Sequence, residues 1–223
     1  SVEVIAYTAD LGQPDEEHIE DIRERMLTCG AAEMILSDLK EAIAAAGIQV
    51  IQAGARYEGG YWNTTAIARH VVVGCMIPEI QQRGIEILGH GATGRGNDQV
   101  RFELAAQMLD PRVRVYAPWR DSEFLEIFGG REAMIAYCHQ HELPIRATRD
   151  CPYSTDSNLL GLTHEAGELE SLTTPTTRVA AEMGNFPMDA PEQASTFQVR
   201  FEKGVPITIN GTATSPFRAI LMA

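Results

Sequence analysis

A chain of 223 residues with 44% hydrophobic side chains is long enough for one large or two small globular domains. Its formal net charge of −13 excludes a nucleic-acid binder, because neutralising phosphates needs a basic face and the Arg and Lys residues are scattered. The longest apolar-rich stretch, Ile67 to Ile80, is broken by Arg69, His70 and Pro78 and falls short of the ~20 residues that cross a bilayer, so no membrane partner is expected.

Val2 to Asp10 alternates and is rich in β-branched residues, which predicts a strand. Asp10-Leu11-Gly12-Gln13-Pro14 then turns the chain and delivers Asp15 as the cap of an acid-rich helix reaching Cys29. The acids of its first turns complement the helix macrodipole and read as a solvated face, not a metal site. Ala32 to Leu36 predicts a second strand, and Leu39 to Ala46 a short helix stopped by Gly47. The loop from Ala55 to Thr65 is dense in aromatics and has two readings. Tyr61 and Trp62 pack onto the following helix, Thr65 to Gln82, or the loop places Tyr, Asn and Thr groups over a pocket.

Ile85 to Phe102 carries the strongest functional signal. A short apolar run breaks into Gly89, Gly91, Gly94 and Gly96, and Val100, Phe102, Leu104 and Leu109 follow at helical spacing. Strand, glycine turn and helix in that order let a ligand approach backbone amides closely and favour an anion at the helix start. Thr93, Arg95, Asn97, Asp98 and Arg101 add polar groups that no stability argument requires. Gly89, Gly91 and Gly94 also fit the dinucleotide fingerprint, but the next strand, Val113 to Ala117, runs into Pro118-Trp119-Arg120 and its nearest acid, Asp121, comes late. A dinucleotide-binding oxidoreductase is therefore the lesser alternative. A Walker A loop fails, because Arg95 and Gly96 stand where Lys and Ser or Thr are needed.

Arg131 to His141 predicts a further helix, on which Cys138, His139 and His141 point to different faces, so no metal is expected there. Cys29, Cys75, Cys138 and Cys151 form no C-x-x-C pair and suit free thiols in a reducing compartment, with the cytoplasm as expected location. The β/α alternation predicts a mostly parallel, doubly wound sheet with ligands at the carboxyl ends of its strands. From Leu143 the texture changes. Arg146 to Asn158 and Thr163 to Gly167 read as a second ligand loop or a linker, and Phe197 to Ile209 as a hairpin about Lys203-Gly204. Ser215-Pro216 then reads as the cap and first residue of a helix.

Ala6 to Asp15, Tyr61-Trp62-Asn63-Thr64-Thr65, His90 to Arg101, Ala117-Pro118-Trp119, Tyr153 to Asn158, Thr163-His164-Glu165 and Val199 to Gly211 together resemble argininosuccinate synthase, almost end to end and in one order. The Asn-Thr-Thr and Ser-Thr-Asp-Ser-Asn forms look most like its bacterial subgroup. The resemblance implies an ATP-pyrophosphatase-type (adenine nucleotide alpha hydrolase-like) α/β domain over residues 1–144 and the start of an α+β synthetase domain over 145–223. It implies ligation of citrulline to aspartate with ATP, taken with Mg²⁺, releasing AMP and pyrophosphate in arginine biosynthesis. It further implies that Ala9, Gly91, Thr93, Asp98 and Asp156 contact ATP, and that Thr93, Asn97 and Asp98 hold aspartate. Tyr61, Asn97, Arg101, Ser154, Thr163 and Glu165 would surround citrulline. No residue is implied as an acid or base, since catalysis here is mainly orientation.

The family's opening strand and Ser-Gly-Gly-Leu-Asp-Thr-Ser pyrophosphate loop have no counterpart in this sequence, nor does its later part, with the helix used in homotetramer assembly. The resemblance thus implies a piece truncated at both ends, lacking the first strand of its sheet, inactive and marginally stable alone. A non-catalytic module that binds citrulline or aspartate is the other alternative.

Overall fold

The computed structural model describes residues 2–14, 18–94, 96–144 and 153–223. The expected cap at Asp15, Arg95 in the glycine loop, and the stretch from Arg146 to Pro152 with Cys151 lie outside them. The alternating start forms β1 (Ile5–Asp10); after helix α1 (Asp21–Thr28), strand β2 (Glu33–Asp38) pairs with β1. Helix α2 covers Lys40–Gln52 and runs through Gly47 instead of stopping there. The glycine is set by packing, because a Cβ at 47 would fall 2.6 Å from Leu160 Cδ2. That contact outweighs the ~1 kcal/mol that Gly costs a helix interior relative to Ala.

Helix α3 (Thr64–Arg83) is followed by β3 (Ile87–Gly89), α4 (Asn97–Leu109) and β4 (Arg114–Tyr116). Strands β3 and β4 pair in parallel, Leu88 opposite Val115. Helix α5 (Ser122–Ile127), which the sequence reading omits, is capped by Asp121, and α6 (Arg131–Gln140) lies where helical spacing predicts it. The polar segment read as a loop or linker is an antiparallel hairpin, β5 (Ser154–Asn158) with β6 (Gly161–Glu165). Its alternation is invisible because polar residues occupy both faces. Strands β7 (Val199–Glu202) and β8 (Val205–Ile209) form the expected hairpin, to which β9 (Thr212–Ala213) adds a short third strand. Helix α7 (Pro216–Met222) begins at Ser215, whose Oγ accepts a hydrogen bond from the Arg218 amide.

The chain divides into two compact units. One comprises Ser1–Ala9, His18–Ser37 and Arg69–Cys151; the other comprises Asp10–Glu17, Asp38–Ala68 and Pro152–Ala223. In the first unit Val73, Ile77 and Ile80 of α3 pack with Leu88, Ala105, Ala106 and Val113, and Phe102 and Val115 border this core. The buried face of α4 is therefore Gln99, Phe102, Ala105 and Ala106, whereas Val100, Leu104 and Leu109, expected on the apolar side, are exposed along with Met108. The ladders β1–β2 and β3–β4 are separate. Between them lies a groove of about 110 Å³ lined by Ile5 and Tyr7 of β1, Met76 and Ile80 of α3, and Ile87 and Leu88 of β3. The unit is mixed α/β, and no helix among the described residues is long and apolar enough to cross a membrane.

In the second unit α2 buries Ile43, Ala44 and Ile48, α7 buries Ala219 and β8 buries Ile209. The turn of the β5–β6 hairpin is fixed from three sides. Leu159 N donates to Leu11 O at 2.8 Å, Asn158 Nδ2 donates to Thr64 O at 3.2 Å, and Asn158 Oδ1 accepts from Leu160 N at 2.9 Å. Asn158 is only 2% exposed. Asn158→Ala strands the Leu160 amide and removes the tie to the Thr64 carbonyl, and is expected to cost about 2 kcal/mol, read as a lower urea midpoint at unchanged slope.

Candidate functional site

The loop between β3 and α4 is shaped by what surrounds it. A Cβ at Gly94 would lie 2.5 Å from the backbone oxygen of Trp119, so no side chain fits there, while Gly91 has open space around it. Close passage against the Trp119 peptide therefore requires glycine at 94. Gly96 N donates to Thr93 O at 3.4 Å, closing the turn that leads into α4. Asn97 is the first residue of that helix and is exposed, as are Gly91 and Thr93.

Asp98, in the first helical turn, is the electrostatic centre of the loop. Arg69 Nε of α3 donates to its Oδ2 at 2.8 Å, and Arg101 Nη1, one turn further along α4, donates to its Oδ1 at 2.7 Å. All three side chains are mostly buried. Burial opposes ionisation of Asp98, but the hydrogen bonds from Arg101 and Arg69, with their charges, outweigh it and hold the carboxyl below the ordinary carboxylate range. Asp98 thus answers two arginines beside amides that already favour anions. Sequence reasoning used Arg69 only as an interruption of an apolar helix. A cation inside such a helix was itself the signal that a carboxylate had to lie opposite.

Ala9 is the penultimate residue of β1, at its carboxyl end. Next to it in sequence, Asp10 accepts a hydrogen bond from Gly12 N at 2.9 Å and forms an ion pair with Lys40, which also pairs with Asp38 at 3.0 Å. Lys40 was not singled out from sequence. Burial alone would depress its ammonium, but hydrogen bonds to Asp10 and Asp38 raise its pKa, so it stays charged and ties the ends of β1 and β2 together.

In the second unit the hairpin β5–β6 sets Ser154 opposite Glu165 and Asp156 opposite Thr163. Alternation puts these four on one face, with Thr155 and His164, joined at 2.9 Å, on the other. Thr163 Oγ1 lies 3.4 Å from Thr65 Oγ1, and Tyr61 Oη accepts from Thr65 N at 3.3 Å. The structure thus gathers Tyr61, Ser154, Asp156, Thr163 and Glu165 in one unit, and Ala9, Gly91, Thr93, Asn97, Asp98 and Arg101 in the other.

The dinucleotide reading loses its last support at Asp121. Its carboxylate accepts from Glu123 N at 3.0 Å and from the Tyr116 hydroxyl at 2.8 Å, so it is committed to capping α5 and not to a ribose.

Comparison with known proteins identifies the family. Residues 1–144 match the family model for the arginosuccinate synthase N-terminal HUP domain, and residues 153–223 that for the arginosuccinate synthase C-terminal domain. The chain is 39% identical over 220 residues to argininosuccinate synthase of Rhodopirellula baltica, covering 98% of this chain and 54% of that protein. It is 38% identical over 208 residues to that of Thermotoga petrophila (93% and 50% covered) and 37% identical over 219 residues to that of Desulfitobacterium hafniense (98% and 53% covered). The chain spans about half the length of the curated relatives it matches.

The depressed Asp98 pKa carries a sign. A carboxyl whose folded pKa lies below its unfolded value of about 3.9 contributes stability that is complete above that value and is lost as pH falls through the folded pKa. Acid is therefore expected to weaken the α3–α4 attachment below about pH 4, and Asp98→Asn to be less stable than the parent at neutral pH but to lose less on acidification. Thermal melts of both proteins across that range check this.

Proposed function

We propose, since the chain belongs to the argininosuccinate synthase family, that it forms the nucleotide-binding part and the start of the synthetase part of a ligase that joins citrulline to aspartate with ATP. In this reading the ureido oxygen of citrulline attacks the α-phosphorus of Mg²⁺-bound ATP and expels pyrophosphate. The aspartate amine then attacks the ureido carbon of citrullyl-AMP, and AMP leaves with the C–O bond electrons. The C–N bond of argininosuccinate, in the pathway to arginine, is the product.

The observation that carries the reading is Asp98 held between Arg69 and Arg101 directly behind the glycine loop. Substrates that are α-amino acids bring a carboxylate and an ammonium each, and this network presents both signs of charge in fixed positions before binding, which is what a reaction governed by orientation needs. We assign Thr93, Asn97 and Asp98 to aspartate. Tyr61, Asn97, Arg101, Ser154, Thr163 and Glu165 are assigned to citrulline. Ala9, Gly91, Thr93, Asp98 and Asp156 are assigned to ATP, whose phosphates bring the Mg²⁺. Domain boundaries at 1–144 and 145–223, a cytoplasmic location and a homotetrameric assembly of the full-length protein belong to the same proposal.

The groove between β1 and β3 supports a finer reading of the fold. Its walls are mostly apolar, with Glu79 among them, and its two sides are strands of separate ladders. One further strand seated there would join β2, β1, β3 and β4 into a single doubly wound sheet, with the carboxyl end of β1 and the glycine loop flanking its switch point.

The test uses a protein of the relatives' full length that carries this sequence. AMP and pyrophosphate are expected in equal amounts, dependent on both citrulline and aspartate. Loss of the Arg101 charge costs about 2 kcal/mol or more at a paired, half-buried site, so Arg101→Ala is expected to raise the citrulline KM at least ~30-fold and the ATP KM far less. Release that ignores citrulline sinks the ligase reading, and an equal rise for ATP sinks the role of Arg101.

A further inference from the structure

The core-facing side of α4 contains one polar residue, and the reaction above does not use it. Gln99 is 5% exposed and sits in line with Phe102 and Ala106, where an apolar side chain would extend the core at no polar cost. Instead its Nε2 donates to Ala92 O at 2.6 Å and to Thr93 O at 3.2 Å. The Ala92 residue is also held from its other side. Its amide donates to His90 Nδ1 at 3.3 Å, and the His90 ring stacks on Phe102 with centroids 4.5 Å apart. An accepting Nδ1 means a neutral ring with its proton on Nε2. Burial favours that neutral form and lowers the His90 pKa against the pull of Asp98 and Glu103.

These contacts fix the orientation of two successive peptides. In a trans peptide the N–H points opposite to the preceding C=O. With the Ala92 and Thr93 carbonyls turned onto Gln99, the amides of Thr93 and Gly94 point away from α4, and neither donates to a described residue. We propose that Gln99 is a positioning residue: it turns these two carbonyls inward and so presents the Thr93 and Gly94 amides, with the Thr93 hydroxyl, to the carboxylate of an amino-acid substrate. The second half of this statement rests on the ligase reading; the first does not.

Amide hydrogen exchange on the whole chain separates them. Gln99→Met keeps the volume and removes the donor, and is expected to speed exchange at Ala92 and Gly96 by about tenfold or more while β3 and β4 are unchanged. Exchange within about twofold of the parent at both amides overturns the clamp, as does acceleration spread equally over β3 and β4, the mark of a mere packing residue. Gln99→Glu gives an independent readout. Its ionised carboxylate faces two carbonyl oxygens and cannot donate, whereas the protonated acid can, and burial raises its pKa, so protection corrected for intrinsic rate should fall as pH rises and return on acidification. Protection independent of pH in that variant also overturns the clamp. Finally, aspartate is added to the parent chain. Slowed exchange at Thr93 and Gly94 supports the substrate role, whereas no change there, with the loop still loosened in Gln99→Met, leaves the clamp standing and overturns the loop as an aspartate site.

Discussion

Asp98 is the point on which the first unit's functional surface turns. A mostly buried carboxylate is tolerated only if its charge is answered, and the two answers come from different elements, Arg69 on α3 and Arg101 on α4. The same three side chains therefore tie the two helices together and anchor the start of α4 in a chain whose net charge is −13. Position and electrostatics are set by one network. Removing either cation leaves the carboxylate with the other as its partner, so a single truncation at these sites weakens the position of α4 as well as removing a charge.

The alternation of apolar strands and amphipathic helices was readable because each element buries one continuous face, and β1, β2, α3, β3, α4, β4 and α6 lie close to where their patterns place them. Errors arose where packing partners are remote in sequence. Gly47 looked like a helix stop until Leu160 was found against it. The β5–β6 hairpin carries polar residues on both faces and so has no period-two hydropathy. On α4 the larger apolar residues Val100 and Leu104 drew the eye, whereas the buried stripe is built from Gln99, Phe102 and two alanines. The candidate site was legible as residue types around a glycine loop, and the partners that organise it, Arg69, Gln99 and Lys40, were not. Arg69 acts on a carboxylate 29 positions away, a pairing that only tertiary structure reveals.

Neither the β1–β2 nor the β3–β4 ladder could stand alone, since a two-stranded sheet is marginal at best in water. The β3–β4 pair borrows its stability from α3 and α4, whose Val73, Ile77, Ala105 and Ala106 surround Leu88 and Val113. Helix α3 carries both tasks of the first unit. One side builds that core and lines the groove, and another offers Arg69 to the loop.

The dimensions of that groove also bear on how copies of the chain behave towards one another. An unpaired strand edge is a template on which a second molecule can pair and propagate a fibril, and such growth needs matched runs of about six or seven residues. The groove is lined by Ile5 and Tyr7 of β1 and by Ile87, Leu88 and Gly89 of β3, a strand only three residues long. A run of three residues on β3 is too short to template such a stack. The shortness of β3 thus limits pairing between copies along this side of the groove.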